Sequence, residues 1–183
     1  LAKKMGVERY ILPSSCSIYG FQPKGAIVDE HSKTNALTVY AKANEKAEQG
    51  VLPLADNNFT VTVMRQATVY GYSPRMRFDL AVNGMTYGAW ENGIIPLMRD
   101  GSQWRPMVHV EDTTDVMCLL LEAEANTVNS EIFNVGSNRN NYQLGALAEE
   151  IGAALPIDVK IEWYGDPDHR SYQVNFEKIE RAL

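Results

Sequence analysis

The chain has 183 residues, 45% hydrophobic and 22% charged, which suits one globular domain or a large piece of one. Its net charge of -6 and pI of about 5.1 leave no basic footprint for nucleic acid, so any anionic ligand must meet locally placed arginines. No apolar run reaches the ~18 residues a membrane-spanning helix needs, and no signal-peptide pattern opens the sequence; no membrane partner and a cytoplasmic location are expected.

The opening LAKKMGVERYILPSS reads as the end of a helix, with Gly6 as its C-cap, running into a buried parallel strand over Arg9 to Pro13. A chain that starts in mid-helix is expected to have a further segment upstream. Phe21 to Thr38 reads as loop. Tyr40 to Leu54 is rich in helix formers, and Thr60 to Arg65 (TVTVMR) is a β-branched strand. Together these make one βαβ unit and predict a parallel sheet. Val69 to Arg77 reads as loop and Phe78 to Trp90 as helix. Pro96 to Gly101 reads as turn, and Pro106 to Val110 as a short extended run. Asp112 to Glu124 is a helix with an apolar stripe at Val116, Leu119, Leu120 and Ala123. Glu131 to Val135 is a strand, Asn141 to Leu155 a helix, Val159 to Trp163 a strand and Phe176 to Leu183 a short helix. Cys16 and Cys118 lie far apart in apolar settings and read as free thiols. His31, His109 and His169 have no metal-ligand spacing, so no metal site is expected.

The chemistry-bearing residues are the Ser-rich turn SSCSIYG (Ser14 to Gly20) and the helix opening YAKANEKAE (Tyr40 to Glu48). A hydroxyl at the end of a buried strand lies at the carboxyl edge of a parallel sheet, where open α/β folds bind ligands. A tyrosine on the following helix can face the same crevice. A phenol with an ordinary pKa of ~10 becomes a useful acid or base when a cation and hydrogen bonds favour its ionised form, at ~1.4 kcal/mol per unit. One helical turn places residue i+4 beside residue i, so a lysine four residues on would serve.

At these residues the chain resembles the NAD-dependent epimerase/dehydratase branch of the extended short-chain dehydrogenase/reductase superfamily. The resemblance runs through ordered motifs: SSCSIYG against SSxxVYG, Tyr40 with Glu48 eight residues later, MRQATVYG (Met64 to Gly71), WRPMVHVEDT (Trp104 to Thr113), IFNVG (Ile132 to Gly136) and DHRSYQVNFEKI (Asp168 to Ile179). It implies an α/β fold, part of a doubly wound parallel-sheet (Rossmann-like) fold plus a small α/β substrate-binding region. Residues 1–70 would be the C-terminal half of the Rossmann-type domain, and 71–183 a nucleotide-sugar region returning one strand to the sheet. It implies Ser15 and Tyr40 as catalytic residues. Tyr40, Asn44 and Ser14 would meet the cofactor, NAD or NADP. Ser15, Thr68, Asn83, Arg105 and Arg170 would hold a nucleotide-diphosphate sugar, the two arginines on its diphosphate; Asn134 is a further amide candidate. A homodimer built partly on the Tyr40 helix is also implied.

Two departures stand out. The lysine expected at Tyr plus four is Asn44, and Lys42 and Lys46 point elsewhere around the helix. No glycine-rich GxxGxxG follows a strand, so most of the cofactor is expected to bind a segment missing from this chain. Cys16 and Ser17 stand where the family's dehydratases carry Asp-Glu, which favours an epimerase-type oxidoreductase or isomerase. The alternatives are a non-catalytic nucleotide-sugar-binding relative and a sugar-nucleotide reductase or dehydratase. The plainer readings are a turn cap for Ser15, packing for Tyr19 and Tyr70, a small buried hydrophobe for Cys16, a satisfied strand histidine for His109, packing for Trp90, Trp104 and Trp163, and a solvated loop for Arg75 and Arg77. Asp166 and Asp168 would orient Arg170.

Overall fold

The computed structural model describes residues 1–98, 100–166 and 170–183; the readings of Asp168 and His169 lie outside the described residues. In chain order the strands are β1 (Arg9–Ser15), β2 (Ile27–Val28), β3 (Thr60–Gln66), β4 (Thr68–Tyr70), β5 (Ile94–Met98), β6 (Trp104–His109), β7 (Glu131–Val135), β8 (Asn141–Gln143), β9 (Lys160–Tyr164) and β10 (Gln173–Val174). The helices are α1 (Val39–Val51), α2 (Ala81–Asn92), α3 (Val110–Glu122), α4 (Ala125–Val128), α5 (Leu144–Ala154) and α6 (Glu177–Ala182).

The central sheet has the order β1-β3-β7 and is parallel throughout. β3 lies in the middle, and the β-branched run Thr60 to Arg65 is buried along its whole length. β7 joins β3 from far along the chain, so the sheet draws on both halves of the sequence. A second sheet, β4-β6-β8, continues from β3 after one residue, and β5 pairs with β9 beneath α2 and α5. β10 pairs with β2 and brings the segment after Arg170 back beside the Ser-rich turn.

Several elements differ from the sequence reading. Among the described residues β1 pairs with β3 alone, and Tyr10 is 36% exposed and Pro13 is open, where the apolar run suggested full burial. Residues 94–98 form β5, not a turn: Pro96 sits at a strand position whose alternate neighbours Ile95 and Leu97 are buried. Thr68–Tyr70 is a strand because β6 offers it a parallel partner. The predicted 78–90 helix starts at Ala81, and its end at Asn92 is fixed by Gly93 in the left-handed region at φ 67°. The first three residues of the predicted 141–155 helix pair antiparallel with β6 instead. On α3, Leu120 is buried but Leu119 is 47% exposed. Cys118 is exposed, as are Trp90 and Trp163, which corrects their apolar and packed readings.

Gly20 ends the Ser-rich turn at φ 61°, and a Cβ there would meet the Asn35 carbonyl oxygen at 1.9 Å. Only glycine fits, and its backbone approach to Asn35 brings the 21–38 loop against the turn. Thr38 then caps α1, its hydroxyl accepting from the Ala41 N–H at 3.1 Å. The start of α1, and with it Tyr40, is thereby set beside the end of β1.

Candidate active site

A cleft of about 840 Å³ opens at the carboxyl ends of β1, β3 and β4. Ser14, Ser15, Tyr40, Thr68, Asn83, Arg105 and Arg170 all line it; Asn44 does not. The carboxamide of Asn44 turns back along α1 and donates to the Tyr40 carbonyl at 3.2 Å.

Ser15 ends β1 in extended conformation, and its oxygen accepts the Ser17 N–H at 3.2 Å. The hydroxyl is thus a turn cap and a cleft wall at once. Capping uses an acceptor lone pair and leaves the O–H as a donor. Tyr40 is the second residue of α1 and is 62% exposed, with its ring on the cleft. Ser17 also lines the cleft, and its buried oxygen has no hydrogen-bond partner.

Beneath this pair lies a buried polar network. Ser14 donates to Glu48 at 2.5 Å. Arg65 grips the same carboxylate through Nε at 3.2 Å and Nη2 at 2.7 Å. Its Nη1 donates to the Tyr19 hydroxyl at 3.1 Å, and Tyr19 donates to Asn134 Oδ1 at 2.7 Å. The Glu48 and Arg65 side chains are 5% and 6% exposed. Charges so deeply buried persist only when paired and hydrogen-bonded. The network ties α1, which carries Tyr40, to β1, which carries Ser15, and to β3, the strand paired with β1. Burial pushes the Cys16 thiol and the Tyr19 phenol well above their ordinary ranges. Cys16 donates its S–H to the Arg65 carbonyl at 3.0 Å, which fits a small buried side chain and not a nucleophile. Asn134 is fully buried, with its Nδ2 donating to the Asn175 carbonyl, so it belongs to this network and lies off the cleft.

At β6, Arg105 is only 8% exposed, and its guanidinium stacks 5.2 Å from the Tyr172 ring centroid. Its Nη1 donates to the backbone carbonyls of Trp104 and Arg170, which holds the Arg170 backbone beside the Arg105 side chain on the cleft wall. Asn83 is committed at both ends: its Oδ1 accepts the Gly71 N–H at 3.1 Å, and its Nδ2 donates to the Arg77 carbonyl at 3.3 Å. It therefore fixes the 71–77 loop that forms one wall. His109 caps α3 by accepting the Glu111 N–H, and Gly71 passes so close that a Cβ would lie 2.4 Å from His109 Nε2.

Sequence reasoning did not assign Arg65, although a charge inside a buried β-branched strand signals a buried partner. Nor did it bring Ser17 or Thr38 to the cleft. Among the described residues no cluster of His, Cys, Asp and Glu could hold a metal ion. No helix among them is long and apolar enough to cross a membrane.

Parallel strands with Ser14 and Ser15 at the carboxyl end of β1, in a cleft that Tyr40, Arg105 and Arg170 also line, define an α/β protein of the doubly wound class. The chain belongs to the NAD dependent epimerase/dehydratase family, a family of enzymes, whose model matches residues 1–136. Among curated proteins it is 26% identical over 166 residues to a UDP-glucuronate 4-epimerase of Thermodesulfobacterium geofontis (strain OPF15), covering 89% of this chain and 49% of that protein. It is 24% identical over 157 residues to a UDP-glucose 4-epimerase of Bacillus subtilis (strain 168), covering 74% of this chain and 44% of that protein. The chain thus spans about half the length of the curated relatives it matches. Among solved structures, MoeE5 in complex with UDP-glucuronic acid and NAD superposes with a TM-score of 0.87 at 21% identity, covering 100% of this chain and 60% of that one. A dTDP-glucose 4,6-dehydratase from Bacillus anthracis str. Ames in complex with NAD gives 0.83 at 23% identity, covering 99% and 57%.

Proposed function

We propose that this chain carries the catalytic pair and the nucleotide-sugar cleft of an NAD-dependent nucleotide-sugar epimerase. The observation that carries the reading is that Ser15, Tyr40, Arg105 and Arg170 line one cleft. The curated relatives named above are 4-epimerases, and the neighbouring structures hold NAD, with or without a nucleotide sugar.

Arg105 of β6 and Arg170 hold the diphosphate, since guanidinium forks match phosphate oxygens. The reacting sugar hydroxyl lies at Tyr40 and Ser15. Tyr40 takes its proton, and Ser15 donates a hydrogen bond to the same oxygen as it becomes a carbonyl. The Tyr40 phenol returns the proton when the carbonyl is reduced from the other face. NAD, when bound, supplies hydride acceptance and return. The hydroxyl-bearing end of β1 fits the nicotinamide-ribose end of that cofactor: Tyr40 stands open, and Ser14 gives its hydrogen to Glu48 and keeps oxygen lone pairs as acceptors. No glycine-rich phosphate loop occurs in the 183 residues, so the rest of the cofactor would be held outside them. In this reading residues 1–70 contribute the catalytic side and 71–183 most of the sugar-nucleotide side, in a cytoplasmic homodimer packed through α1.

One observation favours a second reading, a nucleotide-sugar-binding relative without hydride chemistry. Asn44, in the place beside Tyr40 where a cation would favour the phenolate, is neutral and folded back on its own helix. Calorimetric titration of the chain with UDP-glucose, dTDP-glucose and UDP-glucuronate tests the cleft: saturable binding of at least one, weakened in Arg170→Met, is expected, and binding of none refutes both readings. Incubation with NAD and the bound sugar then separates them. Epimerised product that disappears in Tyr40→Phe supports the first; binding without any product supports the second.

A further inference from the structure

Among the described residues, the cleft walls carry the guanidinium groups of Arg75, Arg77, Arg105 and Arg170 against a single carboxylate, Asp79. This cationic excess occurs in a chain of net charge -6. Asp79 is already engaged: Arg77 grips it through Nε at 3.1 Å and Nη2 at 2.5 Å. In the reading above Arg105 and Arg170, which line the cleft together, hold the diphosphate, whose two internal phosphates each carry a single negative charge.

Arg75 is left over. It is exposed on the cleft and has no ion pair or hydrogen bond among the described residues. An arginine in that state is ordinary on an open surface, but this one sits on a fixed wall. Asn83 binds the loop at Gly71 and at Arg77, on either side of Arg75. This wall and the catalytic pair belong to one cleft, since Arg75, Arg77, Ser15 and Tyr40 all line it.

We infer that the sugar bound here carries a carboxylate and that Arg75 recognises it, so the substrate class is nucleotide-diphosphate uronic acids and not neutral hexoses. The inference rests on the nucleotide-sugar reading above and deepens it. A guanidinium fork meets a carboxylate with two parallel hydrogen bonds, which a neutral hydroxymethyl group at the same carbon cannot reproduce. The Arg77–Asp79 pair beside it sets the loop and adds no net charge.

The test is calorimetric titration of the chain with UDP-glucuronate and with UDP-glucose, which differ at that carbon alone. UDP-glucuronate is expected to bind about fivefold tighter or more, the Coulomb gain of one contact pair near water. Arg75→Gln removes the difference and leaves UDP-glucose affinity in place, and Arg75→Lys keeps part of it. Because Arg75 makes no ion pair or hydrogen bond among the described residues, these variants fold as the parent does, which circular dichroism checks. Equal affinities in the parent chain overturn the inference, and so does a preference that persists in Arg75→Gln. Failure of UDP-glucuronate, UDP-glucose and dTDP-glucose alike to bind overturns the nucleotide-sugar reading itself and this inference with it.

Discussion

Replacing Glu48 by alanine should be among the most damaging single changes in the chain. Glu48 and Arg65 are 5% and 6% exposed at the side chain and meet at 2.7 Å. Removing the carboxylate strands the guanidinium in the interior, a loss of about 3–5 kcal/mol. The Ser14 hydroxyl loses its acceptor as well, for a further ~1 kcal/mol. Against a whole-domain stability of roughly 5–15 kcal/mol, that is a large fraction. Urea denaturation followed by far-UV circular dichroism measures it, with the slope checked for constancy. Glu48→Gln, which keeps an acceptor for Ser14, should cost less than Glu48→Ala. The double variant Glu48→Leu with Arg65→Met should recover stability relative to Glu48→Ala, because no charge is then left unpaired. A loss below ~1 kcal/mol for Glu48→Ala, or a double variant less stable than it, would refute the argument that the pair is a buried, mutually dependent unit.

The Cys16 thiol and the Tyr19 phenol are neutral in the fold, and burial pushes both up. The unfolded chain releases these protons near pH ~8.5 and ~10 while the fold retains them, so stability should fall as pH rises above ~8.5, by up to about 1.4 kcal/mol per pH unit per group; Cys16→Ala should remove the first part of the decline in pH-dependent urea titrations. Gly20→Ala should cost more than ~2 kcal/mol in thermal or urea unfolding, since its φ of 61° and the Asn35 oxygen at 1.9 Å leave no place for a Cβ. Asn83→Ala should cost about 1–3 kcal/mol and speed amide exchange at Gly71, whose N–H would lose its acceptor. A thiol reagent at neutral pH should label exposed Cys118 promptly and buried Cys16 only on unfolding.

The βαβ unit from Arg9 to Gln66 was legible in the sequence because its signals are local: an apolar run closed by Pro and Ser, a block of helix formers, a β-branched strand. The family followed from ordered motifs, and the hydroxyl pair from the register of SSCSIYG with Tyr40. Short strands were not legible. β4, β5 and β8 have three to five residues each, and each exists because a distant partner, β6 or β9, supplies its hydrogen bonds. The exposure of β1 was likewise hidden, since Ile11 and Leu12 look the same in sequence whether a strand has one neighbour or two. Only the folded chain shows that Asn83 is engaged at both ends by its own loop, that Asn134 belongs beneath the cleft, and that Arg65, inside a run of buried β-branched residues, meets Glu48. Sequence reports which residues can bear charge or donate a hydrogen bond. Which of those groups face one another across 17 or 115 positions is set by packing, because the cost of an unpaired buried polar group acts through space and not along the chain.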